Sequence, residues 1–263
     1  NGLLVADEVG LGKTIEAGLI WTELRARAGD QRLLVVCPAK LKIKWVRELT
    51  RRFGVRAEEA SAAEVLEHFQ EHRRNGSHRF ALVSSYQSLR PPAGWEEIEP
   101  NTDPRAALAH FLNDSAQSEP VIDLLVMDEA HYMRNSETKT FELGQLTTDV
   151  AGHRVFLSAT PLHTSNRNLF SLLRLLDPDT FDSEATFKGI LEANVPLVRL
   201  RETLSRPDST PDEALAHLED AAGNSYVGQS EMLANLRQTL GDARALDTPS
   251  QRVALAYQAE HGC

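Results

Sequence analysis

The sequence predicts an α/β fold with a parallel, doubly wound sheet. Three observations carry that expectation. First, short apolar runs alternate with helical patterns along residues 1–181. Second, several runs are continuously apolar rather than alternating, as expected of strands covered on both faces. Third, the chemistry-bearing residues recur just after those runs. That is where the carboxyl ends of parallel strands gather their functional loops.

Leu3-Leu4-Val5 reads as a short buried strand. A helix follows over 15–28, with Ile15, Leu19, Ile20 and Leu24 on one face and Gly29 closing it. Leu33 to Cys37 is a second strand, ended by Pro38. Trp45, Val46, Leu49 and Phe53 mark the core face of the next helix. Ser61 and Glu64 have capping-box spacing before a helix that stops short of Gly76. Strands are expected at 80–85, 121–127 and 154–158, with helices at 105–112, 138–146 and 168–176. Residues 91–120 hold five prolines and read as loops around one short helix. Beyond Phe181 the pattern turns helical and acidic. This divides the chain into an α/β lobe, 1–181, and an α-helical linker or appendage, 182–263.

At 263 residues and 41% hydrophobic content the chain can bury a substantial core. It has no apolar run of about 20 residues, so no membrane partner is expected. Its two cysteines, Cys37 and Cys263, make neither a disulfide framework nor a zinc site, which fits a cytoplasmic protein. The chain lacks an initiator Met and opens almost on a strand, so a longer parent protein is expected. Net charge is −10, which taken globally opposes nucleic-acid binding. Its distribution does not. Between Lys40 and Arg56 seven basic residues face one acid, a net +6. From Glu202 onward ten acids face four basic residues, a net −6. The basic segment reads either as a phosphate-contact surface or as a solvated helix face.

Asp7-Glu8-Val9-Gly10-Leu11-Gly12-Lys13-Thr14 lies between the first strand and the first helix. This is the layout of a phosphate cradle. Gly10 and Gly12 let the backbone approach a phosphate chain, and the helix start supplies unpaired N–H groups. Lys13 would reach the β- and γ-phosphates, and the Thr14 hydroxyl would sit on Mg²⁺. Asp7 stands where the general pattern has its first glycine, so a plain strand-to-helix turn is the competing reading.

Asp128-Glu129-Ala130-His131 follows the apolar run 121–127. Opposite a phosphate cradle, Asp128 would hold Mg²⁺ through water, and Glu129 would orient and deprotonate the attacking water. An acidic turn is the alternative. Ser158-Ala159-Thr160-Pro161 ends the next strand with small hydroxyl residues suited to a γ-phosphate site, or to an ordinary turn. His68 and His72 have i, i+4 spacing but no third ligand in sight, so a solvated helix face is favoured over a metal site. Trp45 could stack on a base, but its helical position favours the core.

Taken together these segments resemble motifs I, Ia, Ib, II and III of superfamily-two helicase-like ATPases. The carriers are 6–14, Pro38 with Trp45, Ser85-Tyr86, Asp128 to His131 (a DEAH box) and Ser158 to Leu162. The stretch Asp7 to Gly18 is similar to the SWI/SNF branch, within it the bacterial HepA/RapA-like group. In that branch an aspartate at the first glycine position is usual. Leu169 to Pro178 also fits. A weaker likeness at 21–27 and 89–95 points to the SWI/SNF-like subunit of a DISARM-type anti-phage system.

The resemblance implies a RecA-like lobe using ATP and Mg²⁺ to translocate along double-stranded DNA. It implies that residues 7–14 bind nucleotide, that Lys13 and Glu129 are catalytic, and that Thr14 and Asp128 hold Mg²⁺. His131, Ser158, Ala159 and Thr160 would couple nucleotide state to DNA. Lys40, Lys42, Ser85 and Tyr86 would lie along the DNA track. Partners would be DNA, a second RecA-like lobe of the parent chain, and defence or transcription proteins. Two other classes stay open: a strand-separating or RNA-acting P-loop NTPase, and a non-catalytic nucleotide-dependent binding module.

Overall fold

We describe the protein from a computed structural model. It describes residues 2–6, 12–29, 31–158, 166–206, 208–223 and 231–240. Two compact units result, Asn1–Asp182 and Ser183–Cys263.

The first unit is a six-stranded sheet. Its strands are β1 (Gly2–Val5), β2 (Arg32–Cys37), β3 (Glu58–Glu59), β4 (Phe80–Ser85), β5 (Ile122–Asp128) and β6 (Ala151–Leu157). Every pairing is parallel, in the order β1-β6-β5-β2-β4-β3. The expected parallel α/β architecture is therefore present. The helices are α1 (Lys13–Arg27), α2 (Lys42–Phe53), α3 (Ala62–Arg74), the single turn α4 (Tyr86–Leu89), α5 (Pro104–Ser115), α6 (Lys139–Thr148) and α7 (Asn166–Leu176).

Side-chain alternation along the strands divides the core into two layers. Leu34, Val36, Leu82, Leu125, Met127 and Phe156 point to one face, where Val65 and Phe69 of α3, Leu112 of α5, Phe141 of α6 and Leu172 of α7 cover them. Leu33, Val35, Cys37, Val83, Leu124, Val126 and Leu157 point to the other, under Ala17 and Trp21 of α1 and Trp45 and Leu49 of α2. Helices thus lie on both faces.

Local chemistry sets the boundaries. Ser61 and Glu64 form the reciprocal capping box that opens α3. Asp103 caps α5 and Pro104 starts it. The expected strand 121–127 runs one residue later and includes Asp128. The expected 154–158 begins earlier, because Ala151 to His153 also pair with β5. β3, two exposed glutamates, has no apolar pattern to reveal it.

The first strand departs from expectation. β1 pairs with β6 alone among the described residues, and Leu3 is 48% exposed. An apolar run at the sheet's edge, with one ladder neighbour, is not a buried strand.

The second unit holds α8 (Glu184–Ser205), α9 (Pro211–Ala222) and α10 (Glu231–Leu240). They share a core of Leu197, Leu200, Leu204, Ala214, Leu218, Leu233 and Leu236. Thr210 and Glu213 form a second capping box ahead of α9. No helix among the described residues is long and apolar enough to cross a membrane.

Candidate nucleotide site

The site assembles at the carboxyl edge of the sheet. β5 is apolar except for Asp123 and Asp128. Asp128 is the strand's last residue and is 8% exposed. Three neighbouring segments fix it. Its Oδ2 accepts the indole N–H of Trp45 from α2 at 2.8 Å. Its Oδ1 accepts the backbone N–H of Glu129 at 2.9 Å. Its carbonyl accepts the hydroxyl of Tyr86, at the start of α4, at 2.9 Å.

The electrostatics follow from that enclosure. Burial pushes the Asp128 carboxyl above its ordinary value. The Trp45 hydrogen bond opposes this, the neighbouring Glu129 charge adds to it, and the Glu129 N–H and the Lys13 ammonium oppose it; the net shift is upward. Lys13, at the start of α1, and Asp128, at the end of β5, lie on the same carboxyl edge, with β6 between β1 and β5. Burial also pushes Tyr86 well above the usual phenol value, so it stays a donor. Burial and the Asp128 charge push the Cys37 thiol up to about 12, and its Sγ donates to the Ser84 carbonyl at 3.6 Å.

Glu129 has φ 56, the one positive φ of a non-glycine residue among the described residues. Its side chain is 28% exposed. Its Oε2 lies 3.2 Å from Nδ1 of His131. The alignment is not that of a hydrogen bond, and Nδ1 is buried without a hydrogen-bond partner among the described residues. The His131 ring stacks on Tyr132 with centroids 4.7 Å apart.

Across the edge, α1 starts at Lys13 and Thr14. Gly12 precedes it with φ 101, a value glycine reaches without steric cost. Its carbonyl accepts the N–H groups of Ile15 at 2.6 Å and Glu16 at 3.1 Å. Ser158 is fully buried, and its backbone N–H donates to the Val5 carbonyl at 3.0 Å. Asp7, Glu8, Val9, Gly10 and Leu11, with Ala159 and Thr160, lie outside the described residues.

The donor set fits magnesium. Asp128 and Thr14 offer hard oxygen ligands. Each carboxylate oxygen of Asp128 accepts one hydrogen bond and keeps a second lone-pair site for a metal-bound water. No group of three or more His, Cys, Asp or Glu residues among the described residues would hold a metal unaided. Magnesium here would rely on water and phosphate, as it commonly does.

The residues expected along a DNA track divide. Lys40 is exposed. Lys42 is paired with Glu59 at 2.6 Å. Ser85 and Tyr86 require a correction. Both side chains are buried, at 4% and 3% exposure; Ser85 caps α4 and Tyr86 braces Asp128. The apolar end of β4 draws them inward, and their side chains present no surface to a duplex. His68 bonds His78 at 2.9 Å, while His72 bonds Arg32. Each histidine is thus engaged with a different partner rather than with a shared metal.

Sequence reasoning singled out Trp45 but missed its bond to Asp128. It is core, as expected, but its N–H is also the partner of the acidic strand end. The signal was available: a buried tryptophan needs an acceptor, and α2 follows the strand that pairs with β5.

The SNF2-related domain family matches residues 1–240. The chain belongs to that family. SNF2 proteins are ATP-hydrolysing, helicase-like enzymes. Two solved structures are similar. One is the Sulfolobus solfataricus SWI2/SNF2 ATPase core in complex with dsDNA, at 16% identity and a TM-score of 0.48, covering 96% of this chain and 60% of that one. The other is the Sulfolobus solfataricus SWI2/SNF2 ATPase core domain, at 22% identity and a TM-score of 0.48, covering 71% of this chain and 33% of that one. This SNF2 chain thus spans under two thirds of either structure's length.

Proposed function

We propose that the chain is the ATP-binding lobe of an ATP-dependent double-stranded DNA translocase. The observation that carries this reading is the placement of Lys13, at the start of α1, and Asp128, at the end of β5, on one carboxyl edge of the sheet. A phosphate-binding lysine and a metal-binding carboxylate must share a site for phosphoryl chemistry. Lys13 and the loop amides hold the phosphates of ATP. Thr14 and Asp128 hold Mg²⁺, which when bound neutralises charge developing on the phosphates. Glu129 takes the proton of the attacking water. His131 and the segment 158–160 couple nucleotide state to DNA.

Double-stranded DNA is the proposed partner, held through α2. Lys40, Lys44 and Arg51 are exposed and have no acidic partner among the described residues, whereas Arg52 is tied to Glu48. A second RecA-like lobe of the parent chain completes the machine. An arginine supplied by such a lobe is worth about 10³–10⁵ in rate, so the 263-residue chain alone turns over hardly at all. The finer assignment is to the bacterial HepA/RapA-like group and to phage defence of the DISARM type. It rests on the sequence likenesses given above.

The test is ATP turnover by the full-length protein with duplex DNA, single-stranded DNA and RNA, together with displacement of a third strand from a triplex. Duplex-stimulated turnover, lost in Lys13→Ala and Glu129→Gln, is the expected result. Stimulation by single strands alone would make it a strand-separating helicase. Unchanged function in both variants would make it a binding module.

A further inference from the structure

A second cleft, of about 500 Å³, opens at the opposite edge of the same sheet, by the amino ends of β2 and β4. Three arginines line it. Arg25 comes from the last turn of α1, Arg56 from the segment after α2, and Arg79 from the residue before β4. Val55 and Phe80, both buried, give it an apolar floor. A backbone hydrogen bond from Phe80 N–H to the Gln31 carbonyl, 3.2 Å, draws its walls together.

Its charge is uncompensated among the described residues. No acidic residue is among the described residues that line it. Arg25, Arg56 and Arg79 are exposed, and none has an ion-pair or hydrogen-bond partner among the described residues. Elsewhere Arg27, Arg32, Arg52, Arg74 and Arg105 each pair with a carboxylate. Three guanidiniums gathered on one concavity repel one another and attract oxyanions, for which their forked donors are suited.

A second observation points the same way. Trp21 also lines the cleft and is 2% exposed, and its indole N–H is buried without an acceptor among the described residues. Buried donors are rarely left so. The contrast with Trp45, whose N–H is satisfied by Asp128, and Trp95, whose N–H is satisfied by Glu142, is direct.

We propose that this cleft binds a small polyanion carrying two or more phosphate-type groups, at a place remote from the nucleotide site. The guanidiniums take the oxyanions, and an oxygen reaching the floor supplies the acceptor that Trp21 lacks. The concave shape and apolar floor favour a compact phosphorylated molecule over a duplex backbone.

The test uses the full-length protein with ¹⁵N-labelled tryptophan, in a Lys13→Ala background that weakens the cradle, with inorganic tripolyphosphate as probe. The Trp21 indole resonance, assigned by Trp21→Phe, should shift saturably. The Trp45 resonance reports the opposite edge and should move little. Arg25→Glu with Arg79→Glu should weaken the response tenfold or more. The gentler Arg25→Gln with Arg79→Gln should weaken it too, and guards against misfolding. The proposal is overturned if the Trp21 signal does not move at millimolar probe. It is equally overturned if the signal moves alike in the arginine variants or in sodium chloride of matched ionic strength, or moves only with a short DNA duplex.

Discussion

The indole nitrogen of Trp45 and the carboxylate of Asp128 meet at 2.8 Å in a buried position, joining α2 to the acidic end of β5. The bond fixes which way the carboxylate faces. It also ties the helix that carries the basic surface to the residue proposed to hold magnesium.

Replacing Trp45 with Phe keeps most of the ring and deletes the donor. One buried carboxylate oxygen then loses its partner, at a cost of about 1–3 kcal/mol. Turnover by the full-length protein should fall about tenfold or more, since small misplacements of a catalytic group are costly. Chemical denaturation and steady-state ATPase assays check the two parts. Unchanged turnover would show that the bond is only structural.

Tyr86→Phe removes the hydroxyl that the Asp128 carbonyl accepts. The expected loss is about 1 kcal/mol, read as a lower denaturation midpoint with an unchanged slope. Because the side chain is buried, affinity for duplex DNA should not change, and a DNA titration decides that.

Glu129 holds a left-handed backbone that a Cβ disfavours. Glu129→Gly and Glu129→Ala should both abolish turnover. The glycine variant should nevertheless be more stable than the alanine variant, by about 1 kcal/mol, because glycine adopts this φ freely. Equal melting temperatures would count against strain at this turn.

Gly18 lies on α1 where the Phe53 ring crosses it; a Cβ there would run into that ring's edge. Gly18→Ala should destabilise by about 1–3 kcal/mol, although alanine is the better helix former by about 1 kcal/mol. A thermal melt tests which effect wins.

Asp123 accepts the backbone N–H groups of Gln31 and Arg32, at 2.7 and 2.8 Å, and the Arg32 guanidinium. Burial pushes its carboxyl up, but the Arg32 guanidinium and these N–H groups outweigh burial and hold it below the usual carboxylate range. A depressed folded value means the stability it contributes is present above the unfolded value of about 3.9 and is lost as pH falls through the folded one. Asp123→Asn should cost on the order of 3 kcal/mol near neutrality. The gap in melting temperature between the two proteins should narrow below about pH 4.

The sheet was legible because its strands are continuously apolar and each of its main helices carries a stripe or a cap. Ser61 with Glu64, and Leu33 to Cys37, leave little choice. What stayed hidden depends on distance along the chain. Trp45 and Asp128 are 83 residues apart, and no local pattern announces that one satisfies the other. Ser85 and Tyr86 misled for the opposite reason. Polar side chains at a strand's end read as surface, yet here their hydrogen bonds point inward, to Ser88 N–H and the Asp128 carbonyl. The acidic pair at Glu58 and Glu59 forms a strand only because β4 offers a free edge.

The Ser158 N–H is bonded to the Val5 carbonyl, and β1 hangs from β6 alone among the described residues. Peptide groups are stiff and their hydrogen bonds short. Any sliding of Ser158 along its strand therefore drags Val5 with it, and Val5 stands two positions ahead of Asp7. A shift at Ser158 would be felt at Val5 through the main chain itself, like a pull on the last rung of a ladder, without needing a relay of side chains.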